Sequence, residues 1–331
     1  MNFKYISLLF CFVCLIVACK DPETPTVKVP TGPPAKIPAF APDSAYAYLE
    51  KQLSFGPRNP GSDGHVACKD WMVEKFESFG ADVIAQDFRA NIYTGDSHDA
   101  WNIIAQFNPE NKRRVILSAH WDTRFIGEED KSSSMKDKPI PGADDGGSGT
   151  AVLIEIARLI QQNPIDLGVD IILWDAEDQG DRGPGSNNEL WCLGSQYWST
   201  NKHRKDYQPL YGINLDMVGG KNPRFPKEYF SKAYAGTLLD KVWALGQGMG
   251  HGKIFDNIEY GQITDDHYFV NVKGKIPMID IINMPANSPR NSFIAEWHTH
   301  DDDIDAIDKN SLRIVGQVVT AVIYRESTGH F

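Results

Sequence analysis

The residues best suited to chemistry stand just after short apolar runs. Val115-Ile116-Leu117-Ser118 leads into His120-Trp121-Asp122, Val169 to Trp174 leads into Asp175-Ala176-Glu177-Asp178, and Tyr211 to Leu215 leads into Asp216. A glycine-rich turn, Pro141-Gly142-Ala143-Asp144-Asp145-Gly146-Gly147-Ser148-Gly149, precedes the apolar stretch Ala151 to Ile160, and Glu296-Trp297-His298-Thr299 closes a long loop. Carboxylates and imidazoles gathered in one place repel one another, or leave buried charge unpaired, unless a cation joins them. A borderline divalent ion, most simply zinc, suits mixed Asp and His ligation. The adjacent pair Glu177-Asp178 also allows a division of labour, in which one carboxylate holds metal while its neighbour moves protons.

Each residue also has a plainer reading. Asp122 serves equally as a turn brace, and as a neighbour of His120 it would orient that ring. Asp144 reads as a loop or capping residue, and Asp216 alone is as readily a strand-end turn. His203, His251 and His300 read as surface histidines, and Asp301 to Asp303 as a solvated acidic run that caps the following turn. The pattern repeated across four strand ends outweighs any single member.

Ligands in open α/β sheets bind outside the carboxyl ends of the strands, so these runs must be strands that share one edge. Strands apolar throughout and alternating with helices predict a parallel or mixed sheet covered on both faces. Asp82 to Ala90 and Ala100 to Phe107 alternate loosely and add two strands, and Ile276 to Ile282 adds another. Helices are expected from Ser44 to Leu53 with Asp43 as cap, from Asp63 to Gly80 with Asp63 as cap, and around Gly194 to Ser199. Others are expected from Gly236 to Met249, after Thr264 as cap, and from Asn310 to Tyr324. The helix from Ser148 to Ile160 is apolar on nearly every side except Glu155 and Arg158, which marks it as buried. The fold class is therefore α/β: one domain over residues 43–331, with a parallel or mixed sheet covered on both faces.

Composition agrees. A hydrophobic content of 41% with 23% charged residues is ordinary for a globular chain, and a net charge of -11 argues against a nucleic-acid partner. At the amino terminus Lys4 precedes an apolar run from Ile6 to Ala18, of signal-peptide length. Ile16-Val17-Ala18-Cys19 resembles a bacterial lipobox, which makes residues 1–18 an expected lipoprotein signal and Cys19 a lipidated residue. Residues 19–42, crowded with proline, are then a semi-rigid linker. The expectation is an exported lipoprotein, periplasmic or outer-membrane associated, touching the membrane through the Cys19 lipid alone; a simple secretory signal is the alternative. Cys68 and Cys192 are left either to pair or to stay buried free thiols.

Taken in order, His120-Trp121-Asp122, Gly142-Ala143-Asp144-Asp145, Asp175-Ala176-Glu177-Asp178, Leu215-Asp216 and Trp297-His298-Thr299 resemble the motifs of the zinc aminopeptidase and glutaminyl cyclase superfamily over roughly residues 43 to 325. The resemblance implies a three-layer α/β sandwich around a twisted, mixed and largely parallel sheet, with a metal at the carboxyl edge of that sheet. Within the superfamily, aminopeptidases hold two zinc ions and cut peptides with an activated water. Glutaminyl cyclases hold one and turn an amino-terminal glutamine into pyroglutamate with release of ammonia. Trp297 beside His298, the run Asp265-Asp266-His267, and Trp191 on the loop after the acidic pair resemble the cyclase pattern, and the Glu177-Asp178 pair resembles that of bacterial cyclases of the animal-like type.

By that resemblance Asp145, Asp178 and His298 bind one Zn2+ and Glu177 shuttles the proton. Asp216 and Asp265 hold the proton system. Trp191 and Trp297 enclose the glutamine of a peptide or protein substrate. One departure is Asp178, where animal cyclases and most aminopeptidases have Glu, so this ligand is a methylene shorter. His120 matches an aminopeptidase ligand that cyclases retain without using. A dinuclear aminopeptidase, with a second zinc on His120 and Asp216, is therefore the alternative. A catalytically inactive peptide-binding relative is a third reading, and it predicts loss of base and ligands that are all present.

Overall fold

The computed structural model describes residues 32–183, 186–288 and 293–331. The expected signal, Cys19 and most of the proline-rich linker lie outside the described residues. Six strands form the central sheet: β1 (Asp82–Asn91), β2 (Ser97–Phe107), β3 (Arg114–His120), β4 (Gly168–Trp174), β5 (Gly212–Asp216) and, last in the chain, β8 (Met278–Ile282), in the order β1-β2-β4-β3-β5-β8. β6 (Phe225–Lys227) and β7 (Phe255–Glu259) make a separate parallel pair. β1 and β2 pair antiparallel, and β2 meets β4 antiparallel. β4, β3, β5 and β8 are parallel neighbours, which gives the mixed, largely parallel sheet expected.

Every residue of β3, β4, β5 and β8 is buried, and alternate side chains serve opposite faces. Val115, Leu117, Ala119, Ile171, Leu173 and Ile213 point into the larger core, shared with α1 (Pro42–Leu53), α2 (Asp63–Ser78), α3 (Gly149–Gln162), α5 (Tyr229–Gly246) and α7 (Lys309–Ser327). Ile116, Ile172, Trp174 and Met278 point the other way, onto α4 (Leu193–Thr200) and α6 (Asp266–Val272) through Trp198 and Val270. That parity makes the three layers. No helix among the described residues is long and apolar enough to cross a membrane.

Several local expectations need correction. Ser62, not Asp63, caps α2, its hydroxyl accepting from the His65 amide at 3.1 Å. Pro42 opens α1 in its first turn, where a missing N–H costs nothing, so Asp43 lies inside the helix. Asp265 caps α6 in place of Thr264. α5 begins at Tyr229, capped by Glu228, and Ala235 (φ -138°, ψ 34°) interrupts it. That break is why the sequence pattern restarts only at Gly236. His203 is half-buried rather than on the surface, its Nδ1 accepting from Trp198 Nε1 at 3.0 Å. Cys68 and Cys192 are both buried free thiols.

Candidate metal and catalytic centre

In the parallel register His120 lies opposite Trp174, so β3 and β4 release their polar residues at one level. β5 ends beside them at Asp216. Between β3 and α3 the chain folds Asp145 back toward His120 through a turn that only glycine permits. Gly146 has φ +86°, and a Cβ there would stand 2.6 Å from the Asp122 carbonyl oxygen. Asp302 holds this turn from below, its two carboxylate oxygens accepting from the amides of Asp144 (2.7 Å) and Asp145 (3.1 Å). It is fully buried, which overturns the reading of Asp301 to Asp303 as a solvated run, while Asp303 does cap the next turn through the Asp305 amide.

Asp122 does more than brace a turn. It accepts from the amides of Glu177 (3.0 Å) and Asp178 (3.2 Å) and from Gln179 Nε2 (2.8 Å), and lies 3.6 Å from His120 Nδ1. One carboxylate thus sets the backbone of the acidic pair and faces the histidine ring. Asp175, one step earlier, is buried against His65 Nε2 at 2.8 Å and accepts from the Trp101 amide at 2.6 Å. Ala176 (φ 54°), Cys192 (φ 55°), Met217 (φ 51°) and His298 (φ 54°) all adopt the left-handed region. Each is a site residue or its immediate neighbour, and such non-glycine strain concentrates where surrounding structure enforces a functional geometry.

Two donor clusters share Asp145. Ligand atoms of Asp145, Asp178 and His298 lie within 4.8 Å of one another, as do those of His120, Asp145 and Asp216. His298 Nε2 is 2.8 Å from Asp178 Oδ1 and 3.9 Å from Asp145 Oδ2, and His120 Nε2 is 3.0 Å from Asp145 Oδ1. Among the described residues, Asp145 Oδ2 and Asp178 Oδ2 are buried without a hydrogen-bond partner, and such lone pairs are costly unless a cation meets them. Burial, reinforced by Asp145, raises Asp178 to about 6 against the pull of His298. Asp216 rises to about 8 through burial, with Asp265 and Asp145 adding to it against the pull of His120. Burial works to lower His120, but hydrogen bonds to Asp122, Asp145 and Asp216 hold it well above the usual imidazole range. An acid cluster under this much strain, with oxygen and imidazole donors converging, fits a zinc ion. The shorter Asp178 side chain still reaches the cluster.

A cavity of about 330 Å³ opens over these groups, lined by Asp145, Glu177, Asp178, Trp191, Asp216, Asp265 and Trp297 among others. Trp297 stacks on His298 with ring centroids 3.6 Å apart and on Phe293 at 4.4 Å. Trp191 lies flat against Gly180, where an added Cβ would come within 2.2 Å of the indole, with the Arg124 guanidinium 4.8 Å from its ring. Arg124 also donates to the carbonyl oxygens of Asp178 and Gly180, each at 2.8 Å. Asp265 accepts from Asn214 Nδ2 at 3.1 Å. Burial, then the charges of Asp178, Asp265 and Asp266, raise Glu177 well above the usual carboxyl range against the pull of His120.

The structure therefore brings together His120, Asp122, Asp145, Glu177, Asp178, Trp191, Asp216, Asp265, Trp297 and His298. Sequence reasoning missed Glu128, whose Oε1 lies 2.8 Å from His298 Nδ1, along with Arg124, Asp302 and Cys192. Arg124 and Glu128 pair within a non-helical loop, Nη2 to Oε1 at 2.8 Å, and no periodicity in that loop signals them.

A family model described as peptidase family M28 matches residues 102–323. Among solved structures the chain is similar to a Bacteroides thetaiotaomicron glutaminyl cyclase bound to N-acetylhistamine, at 45% identity and a TM-score of 0.84, over 87% of this chain and 99% of that one. It is similar to a leucine aminopeptidase precursor of the same organism at 45% identity and a TM-score of 0.84, over 88% and 99% of the two chains. The glutaminyl-peptide cyclotransferase of Bos taurus is 23% identical over 300 residues, 80% of this chain and 77% of that protein.

Proposed function

The chain belongs to peptidase family M28, and within it we propose a zinc-dependent glutaminyl-peptide cyclotransferase that converts amino-terminal glutamine of peptides or proteins to pyroglutamate and ammonia. The observation that carries this reading is the small cavity walled by Trp191 and Trp297 directly over Glu177 and the Asp145, Asp178 and His298 cluster. Flat aromatic walls over an acidic floor suit one short amide side chain folded back on its own amine, and holding that conformer removes much of the entropic barrier to ring closure.

Asp145, Asp178 and His298 would hold a single zinc ion, which when bound polarises the substrate's side-chain amide carbonyl. The protein's own residues do the rest. Trp191 and Trp297 exclude water, so that the amine rather than solvent reaches the amide carbon. Glu177, held as an acid–base group by its buried and acidic surroundings, takes the proton released as the α-amine nitrogen bonds to the amide carbon. It returns that proton to the departing nitrogen as the carbon–nitrogen bond breaks, so ammonia leaves and the carboxylate is restored. Asp216 and Asp265 flank Glu177's cavity and would hold the proton system between them.

One observation favours a second reading. His120, Asp145 and Asp216 form a second trio of donor atoms, as a dinuclear aminopeptidase requires. Mass spectrometry of a glutamine-leading and a leucine-leading peptide, incubated with residues 39–331, separates the two. Ammonia loss from the intact glutamine peptide alone supports the cyclase, whereas release of free leucine or glutamine replaces it with the aminopeptidase.

The proposal extends to placement: an exported lipoprotein, held through Cys19 at the periplasmic or outer-membrane surface, with residues 19–42 as linker and residues 43–331 as the catalytic unit. Labelling with a radioactive fatty acid, lost on Cys19→Ser, tests it.

A further inference from the structure

Among the described residues, one hydrogen bond reaches the Glu177 carboxylate, and it comes from sulfur: Cys192 Sγ lies 3.1 Å from Glu177 Oε1. We propose that Cys192 is a positioning residue whose thiol fixes the direction of the Glu177 carboxylate toward the cavity. The inference rests on Glu177 as the base.

The geometry around Cys192 is built rather than incidental. The residue is fully buried and sits in the left-handed region (φ 55°, ψ 39°), a conformation that costs about 1–2 kcal/mol for a side chain with a Cβ. Three backbone bonds enforce it: Cys192 N to Glu177 O (2.8 Å), Leu193 N to Ala176 O (3.1 Å) and Gly194 N to Asp175 O (3.0 Å). These lace the start of α4 to the end of β4, so thiol and carboxylate share one rigid frame. Gly194 makes the lacing feasible, because a Cβ there would stand 2.4 Å from the Asp175 oxygen. Ligand atoms of Glu177, Cys192 and Asp265 lie within 4.8 Å of one another, which puts the sulfur at the reacting edge although it does not line the cavity.

The chemistry of sulfur suits this task. Burial, then the charges of Glu177, Asp266 and Asp265, raise the thiol well above its usual range, so it stays S–H and serves as donor rather than nucleophile. A thiol is a weak donor. It can set the direction of a carboxylate that must exchange protons without gripping it as an ammonium or guanidinium would.

The test compares Cys192→Ala with Cys192→Ser on a glutamine-leading peptide, with zinc content and thermal midpoint followed in both. The expected result is a kcat about tenfold lower in the alanine variant with KM within about twofold, and recovery to within about threefold in serine, which restores a donor. An alanine variant with wild-type kcat, or a serine variant as impaired as alanine, overturns the proposal. A wild-type protein that makes no pyroglutamate would instead overturn the cyclase reading. In that case crystal structures of wild type and Cys192→Ala decide the contact alone: it stands if the Glu177 carboxylate swings away in the variant, and falls if it stays.

Discussion

Glu128 Oε1 sits 2.8 Å from Nδ1 of His298, while the opposite nitrogen of the same ring lies 2.8 Å from Asp178 Oδ1. A carboxylate behind a histidine fixes the ring and its tautomer and raises its basicity as a ligand. His298 and Arg124 together outweigh burial and hold Glu128 itself down at about 2, so it is a full anion at any working pH.

Glu128→Gln keeps the shape and removes the charge. Zinc affinity, measured by chelator competition, is expected to fall about 10- to 100-fold with the fold intact. Unchanged affinity would mean that the ring is held by Trp297 stacking alone.

Glu177→Gln removes the group assigned to carry the proton while preserving its volume. Turnover of a glutamine-leading peptide should drop by about two to four powers of ten, with zinc content unaltered. A variant that cyclises at the wild-type rate would sink Glu177 as the base.

Gly180→Ala tests the aromatic wall. The added methyl would meet the Trp191 indole at 2.2 Å, and Arg124 backs that ring, so the indole has to shift. Misplacement on this scale is expected to lower kcat/KM about a hundredfold while far-ultraviolet circular dichroism stays the same. Equal kcat/KM would show that Trp191 does not touch the substrate.

Acid should weaken the fold through His203. Burial lowers this imidazole from 6.5 to about 4, with Arg204 and Arg114 adding to it against the pull of Asp170. Its folded pKa lies below the unfolded one, so the unfolded chain takes up the proton first. The stability held above about pH 6.5 is then lost as pH falls toward 4. The loss amounts to about 2 to 3 kcal/mol, and urea unfolding at successive pH values reads it. His203→Gln should flatten that decline; an equally steep decline in the variant would assign it to other groups.

The strands and their edge were legible because burial on both faces leaves an unbroken apolar run, and a polar residue ending such a run has few places to go. His120, Glu177, Asp178 and Asp216 follow from that logic. Choices between adjacent equivalents did not. Ser62 and Asp63 are both good caps, as are Thr264 and Asp265, and tertiary packing selects one. Asp302 looks like its neighbours in an acidic run, and only the turn folding above it shows why it is buried. Glu128 lies in a loop without period, so nothing local ties it to a histidine far along the chain.

Left-handed backbone at Ala176, Cys192, Met217 and His298 gives this centre a mechanical character. The reactive groups are held under tension, like a sprung clasp, by a scaffold whose rigid parallel strands lie immediately behind them. Glycine would relax any of these positions, so the conformational cost of the four side chains is carried by the packed structure around the centre.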